Sequence, residues 1–151
     1  IVVIGGGAVG IELSISLIKK GNIVYLVELA PKLLGQAFDI NFSNYIKKIL
    51  QNLGIKVFTS TKLISIEGEE NVKKIITDQI DISCDLVICA IGMKPEVKFA
   101  KKSGIEIGKF SGIKVNNRML TNIKDVYACG DCAETENGNI GNMLWLPAKL
   151  Q

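Results

Sequence analysis

The chain has 151 residues, 48% of them hydrophobic, and a formal net charge of +3 from 18 basic and 15 acidic side chains. That length fits one domain or one and a fraction, with enough apolar content for a folded α/β core. The charge is too mild and the lysines too scattered for a nucleic-acid surface, and no apolar stretch is long enough to cross a membrane.

The chain opens on an apolar run, Ile1-Val2-Val3-Ile4, which reads as a core strand with no charged signal-like region before it. There is no initiator methionine, which points to a piece of a longer polypeptide. Gly5-Gly6-Gly7-Ala8-Val9-Gly10 follows, and a helical pattern is expected over 8–20, stopped by Gly21-Asn22. Apolar residues surround this helix almost completely. A second strand over 23–28 ends on Glu28, eighteen positions beyond Gly10. Strand, glycine loop, helix, strand and terminal acid in this order point to a dinucleotide site. Gly5 permits the tight turn, Gly7 leaves room for a pyrophosphate against the backbone, and Gly10 lets helix and strand pack closely. The helix start offers N–H groups and partial positive charge to the phosphates. Glu28 stands where a carboxylate accepts hydrogen bonds from ribose hydroxyls, and it would repel a 2′-phosphate. With Lys32 the only basic residue nearby, NADH is favoured over NADPH.

After Pro31, residues 39–53 give the clearest amphipathic helix. Phe42, Tyr45, Ile46, Ile49, Leu50 and Leu53 share one face, Asp39 or Asn41 stands at the N-cap, and Gly54 ends it. A strand over 55–58 completes a β-α-β-α-β unit. Segments 63–67 and 72–77 read as a hairpin around Gly68-Glu69-Glu70-Asn71, and the apolar run 84–91 as a buried strand at the centre of a sheet. Beyond Pro95 a short helix over 97–103 and short strands over 105–107, 113–115 and 126–128 are expected, followed by Cys129-Gly130-Asp131-Cys132-Ala133 and an apolar ending, 141–151, with Trp145. Histidine is absent, which removes the usual general base and zinc ligand, and the four cysteines suit a reduced, cytoplasmic setting.

Four segments in order resemble the FAD-dependent pyridine nucleotide-disulfide oxidoreductases. They are Gly5 to Gly10 with Ile11-Glu12, the acid Glu28, Ala90-Ile91-Gly92-Met93-Lys94-Pro95, and Val126-Tyr127-Ala128-Cys129-Gly130-Asp131. The resemblance implies a Rossmann-like parallel sheet with helices on both faces and an antiparallel hairpin excursion, 1–92, as the NAD(H)-binding domain. It implies that 93–151 is the returning part of a split FAD-binding domain. In this family Gly130 and Asp131 would hold a ribityl hydroxyl of FAD, the following helix start would face the flavin pyrophosphate, and Glu12 would lie near the nicotinamide. The tail from Ala133 onward looks most like the NADH:rubredoxin reductase and nitrite reductase flavoprotein branch, with the CoA-disulfide reductase and NADH oxidase branch close behind.

Several residues carry two readings. Glu12 favours the helix dipole with or without a cofactor. Ala90 and Gly92 lie at the carboxyl edge of their strand, where ligands bind in open α/β sheets, yet a tight turn before Pro95 also needs small residues. Cys129 and Cys132 have redox or half-zinc spacing, but they flank the Gly-Asp motif and are read as structural, with no catalytic disulfide or metal assigned. The pairs Lys47-Lys48, Lys73-Lys74 and Lys101-Lys102 are solvated faces, although an acidic redox protein such as rubredoxin docks on basic surface. The function so implied is hydride transfer from NADH to flavin and on to an acceptor: rubredoxin, a nitrite-reductase centre, oxygen or a disulfide. The rest of the flavoprotein, and a second copy as homodimer, are the partners it allows. A non-catalytic NAD-sensing domain is the alternative, and the Gly-Asp motif argues against it.

Overall fold

Four three-residue segments form a parallel sheet in a computed structural model, which describes residues 1–35 and 37–135. They are β1 (Val2–Ile4), β2 (Tyr25–Val27), β3 (Lys56–Phe58) and β7 (Val87–Cys89), in the order β3-β2-β1-β7. All pairings are parallel and in step: Val3 lies opposite both Leu26 and Ile88. The order is that of one half of a doubly wound nucleotide-binding sheet. Between β1 and β2 runs α1 (Ala8–Lys19), and between β2 and β3 runs α2 (Ile40–Asn52). Three antiparallel strands separate β3 from β7: β4 (Leu63–Glu67), β5 (Lys74–Thr77) and β6 (Asp81–Ser83), in that spatial order.

Alternation along the strands divides the core in two. Val3, Leu26 and Val57 point to the face covered by the helices, where they meet Ile11 and Ile15 of α1 and Ile46 and Leu50 of α2. Val2, Ile4 and Val27 point the other way, onto Ile75, Ile82 and Cys84 of the antiparallel layer. Among the described residues, then, α1 and α2 share one face of the parallel sheet, and the second face carries the β4–β6 sheet where a helix was expected. The physical reason is the crossover to β7. A parallel connection needs a covering layer, and here 63–83 supply a meander whose Ile75 and Ile82 bury the apolar side that a helix would otherwise provide.

Two further expectations are corrected. Among the described residues the run 84–91 is not a central strand: β7 pairs only with β1 and ends the sheet, while β1 lies inside it. Accordingly Cys84 is buried but Leu86, Cys89 and Ile91 are exposed. The hairpin also gains a third strand, because Ile82 is the single inward residue of a segment whose Asp81 and Ser83 face solvent. A salt bridge from Lys74 to Glu67 at 3.2 Å crosses its exposed side.

The amphipathic helix begins where Asp39 accepts from the Phe42 N–H at 2.9 Å. Its apolar stripe is wider than its buried strip: Leu50 is buried, whereas Phe42, Tyr45, Ile49 and Leu53 remain substantially exposed. The Phe38 and Phe42 rings lie on that surface with centroids 4.3 Å apart, tilted by 33°.

From Met93 the chain forms a second compact unit. It holds α3 (Lys98–Lys102) and a parallel pair, β8 (Ile113–Val115) with β9 (Ala133–Thr135). Ala100, Ile113, Val115 and Ala133 are its buried core. The expected strands at 105–107 and 126–128 are reduced to isolated bridges, Ile107 with Ile113 and Tyr127 with Leu120. The apolar ending around Trp145 lies outside the described residues. Replacing Asp39 by Ala should remove the cap of α2 and lower the unfolding free energy by about 1 kcal/mol, read as an earlier urea midpoint with an unchanged slope.

Candidate functional site

The glycine loop sits where β1 ends and α1 begins, and its shape is dictated by what a Cβ would strike. Gly5 adopts φ +110°, and a Cβ there would lie 2.3 Å from the Ala90 carbonyl oxygen. At Gly10 the added carbon would lie 1.9 Å from the Gly5 carbonyl oxygen. At Gly6 it would lie 2.5 Å from Leu33 Cδ2. Only Gly7 differs: nothing lies within 4 Å of its Cβ position, so the backbone there faces open space. Gly7 also caps α1 without any side-chain hydrogen bond, and no acidic residue lies in the first turn. The start of α1 thus carries no acidic residue of its own beside an open stretch of backbone, an arrangement that suits an anion site.

Glu28 follows directly on β2. Its Oε2 accepts from the Gly6 N–H at 2.5 Å and its Oε1 accepts from the Ala30 N–H at 2.6 Å. Charged acceptors of this kind are the strong class of hydrogen bond. The carboxylate is therefore fixed beside the loop while each oxygen keeps further acceptor capacity for a hydroxyl. The loop is closed from the other side by the Leu34 N–H, which donates to the Gly6 carbonyl at 2.9 Å. Sequence reasoning missed Ala30, Leu33 and Leu34 as supports of the site; the apolar pair after Pro31 was the available signal. Lys32 donates to the Phe38 carbonyl at 2.9 Å.

Glu12 is exposed on α1, past its first turn. Ala90 follows β7 and donates to the Ile4 carbonyl at 2.7 Å, which holds the end of β7 against the start of the loop. Gly92 has φ +103° and open space at its Cβ position. Gly5, Gly6, Gly7, Ala8, Val9 and Gly10 with Glu28 and Ala90 therefore converge on one carboxyl edge of the parallel sheet.

Gly130 and Asp131 belong to the second unit. Gly130 has φ +77° and opens a 3₁₀ turn, Gly130–Cys132, that runs directly into β9, and Asp131 is exposed in that turn. A helix start facing a pyrophosphate, expected after Asp131, lies outside the described residues. The same unit holds a carboxylate that the sequence did not announce. Glu134 is buried and accepts from the N–H groups of Phe110 and Gly112 at 3.0 Å each. All four cysteines are free thiols. Burial pushes the Cys84 thiol up from its ordinary pKa, an effect eased by the N-terminal ammonium and reinforced by Asp85. No cluster of metal-binding side chains occurs among the described residues, and none of their helices is long and apolar enough to cross a membrane.

A parallel sheet ordered 3-2-1-4, with a glycine loop, an open helix start and an acid after the second strand, defines a Rossmann-like α/β protein. The sequence profile of the pyridine nucleotide-disulphide oxidoreductases matches residues 1–148, and the chain belongs to that family. It is 36% identical over 148 residues to an NAD(P)H sulfur oxidoreductase (CoA-dependent) of Pyrococcus furiosus, covering 97% of this chain and 33% of that protein. It is 40% identical over 134 residues to an NADH oxidase of Methanocaldococcus jannaschii, covering 89% of this chain and 30% of that one. Among solved structures, an NAD-dependent persulfide reductase from A. fulgidus superposes with a TM-score of 0.85 at 30% identity, covering 88% of this chain and 25% of that one. The chain thus spans about a third of the length of the curated relatives it matches.

The loop geometry separates two glycines that look alike in sequence. Gly10→Ala should lose about 3 kcal/mol or more through overpacking, whereas Gly7→Ala, with nothing to strike, should lose at most about 1 kcal/mol as a poorer helix cap. Parallel urea titrations of the two variants check this.

Proposed function

We propose that residues 1–92 bind NADH, and that 93–151 supply part of an FAD site within a larger flavoprotein that passes electrons from NADH to an acceptor. The observation that carries the reading is Glu28, held by the Gly6 and Ala30 N–H groups beside the open backbone at Gly7. The pyrophosphate would lie over Gly7, against the start of α1 at Ala8 and Val9. A ribose placed at Glu28 would donate its hydroxyls to the carboxylate, and a 2′-phosphate there would meet like charge. Lys32, whose ammonium is engaged by Phe38, does not offset that repulsion. Ala90 and Gly92 would flank the cofactor at the sheet edge, with Glu12 toward the nicotinamide.

In the second unit, the Gly130 turn presents Asp131 to solvent as an acceptor for a ribityl hydroxyl. Bound nicotinamide and flavin would supply the hydride chemistry; this chain's residues bind and orient. The family's use of FAD and NAD(P)H supports this division of labour. The relatives differ in what their names say they reduce: sulfur for the Pyrococcus furiosus protein, and a flavorubredoxin partner for the nitric oxide reductase FlRd-NAD(+) reductase of Salmonella gallinarum. A small redox protein as acceptor is further supported by the likeness to putidaredoxin reductase, solved in complex with putidaredoxin (TM-score 0.84, 28% identity).

Titration of the chain with NADH and with NADPH, followed by nucleotide fluorescence, tests the proposal. NADH should bind more tightly, and Glu28→Ala should weaken NADH about tenfold or more, as loss of a charged hydrogen-bond acceptor does, while narrowing the gap to NADPH. Equal affinities for the two nucleotides in the unaltered chain, or no binding of either, would sink it.

A further inference from the structure

The acid that follows β2 is held through its backbone as well as its side chain. The Glu28 N–H donates to the Phe58 carbonyl at 2.8 Å, and the Glu28 carbonyl accepts from the Thr61 N–H at 3.0 Å. The Ser60 N–H donates to the Ala30 carbonyl at 2.9 Å. Residues 58–61 thus clasp 28–30 just past the carboxyl ends of β2 and β3. Ser60 does so in the left-handed region, at φ +54°, a conformation that costs a residue with a side chain free energy and persists where its surroundings hold it.

What holds it is the turn between β5 and β6. Gln79 Nε2 donates to the Ser60 carbonyl at 2.5 Å. Asp78 pairs with Lys62 twice: its N–H donates to the Lys62 carbonyl at 3.0 Å, and its Oδ1 accepts from the Lys62 N–H at 2.8 Å. The turn is itself tied. Thr77 Oγ1 accepts from the Gln79 and Ile80 N–H groups at 3.2 and 2.9 Å and donates to the Ile80 carbonyl at 2.6 Å. On either side of it, Ile75 and Ile82 are buried in the core shared with the parallel sheet. A continuous series of contacts therefore runs from the antiparallel layer through 60–62 and 28–30 to the Gly6 N–H that Glu28 accepts from. We propose that Asp78 and Gln79 are positioning residues that hold Glu28 in place, and that they thereby set how strongly the site discriminates NADH from NADPH. The second part rests on the NADH reading above. A fixed carboxylate meets ribose hydroxyls at one geometry and keeps its charge against a 2′-phosphate; a loosened one loses on both counts.

The test combines Asp78→Ala with Gln79→Ala in the full chain and reads two things. The first, amide hydrogen exchange by NMR, needs no nucleotide. Exchange at Gly6, Ala30, Ser60 and Thr61 should speed up about fivefold or more, as loss of two net hydrogen bonds allows, while the Val3 amide in β1 exchanges as before. Asp78→Asn, which keeps an oxygen for the Lys62 N–H, should retain the slow exchange. The second is affinity for NADH and for NADPH. NADH should weaken about fivefold and NADPH by less, so that their ratio narrows. A loss of folded protein alone would weaken both equally and leave the ratio where it was. Unchanged exchange at the four amides, a matching rise at Val3, or loosened amides with an unchanged ratio would each overturn the proposal. If the unaltered chain binds neither nucleotide or both equally, the NADH reading fails and takes the claim about discrimination with it, and the exchange rates still decide whether the turn holds Glu28.

Discussion

Everything at the carboxyl edge of the parallel sheet depends on how closely α1 approaches β1. The helix packs so near that the Gly5 carbonyl occupies the space where a side chain at residue 10 would begin, and the Ala90 carbonyl does the same for residue 5. Three backbone segments, the end of β1, the start of α1 and the end of β7, are therefore in direct contact, with no side chains between them. That contact sets where the first helical N–H groups point and leaves Gly7 as the one glycine of the loop with open space at its Cβ position. The buried layers beneath, Val3 and Leu26 against Ile11 and Leu50, keep the helix from backing away.

Both units use the same device to secure a loop. A single carboxylate accepts from two backbone N–H groups that have no partner in a helix or sheet: Glu28 from Gly6 and Ala30, Glu134 from Phe110 and Gly112. Buried or half-buried backbone donors are costly when unpaired, and a carboxylate with two oxygens satisfies two at once. The difference is in what surrounds them. Glu134 is enclosed, and carbons added at Gly108 or Gly112 would collide with it. Glu28 keeps a solvent-facing side beside an open site. One acid is wholly structural, and the other has capacity left over for a ligand.

The parts legible in the sequence were those fixed by local chemistry. The glycine loop, Glu28 at the strand end and Asp39 at the N-cap of α2 each obey a rule that spans a few residues. What was lost depended on neighbours far along the chain. An apolar run such as 84–91 reads the same whether it is flanked by strands on both sides or, as here among the described residues, only by β1. The third antiparallel strand shows one inward residue, Ile82, too little for any periodic signal. The stripe on α2 was read correctly as apolar, but pattern alone cannot say that only its Leu50 and Ile46 side is covered. Glu134 had no signal at all, since an acid beside a short strand is ordinarily solvated.

On the proposed reading Glu28 has a double duty, binding a ribose and tying the loop, and this has an evolutionary corollary. A lineage drifting toward the phosphorylated cofactor would have to give up this acid, and with it the acceptor that ties Gly6 to Ala30. On that reading cofactor choice and loop integrity would be inherited together, and a single-step exchange of one nucleotide for the other would pass through a slack loop. Compensation must come first or simultaneously, from a neutral side chain at 28 able to accept from both amides, before any arginine arrives to greet a 2′-phosphate.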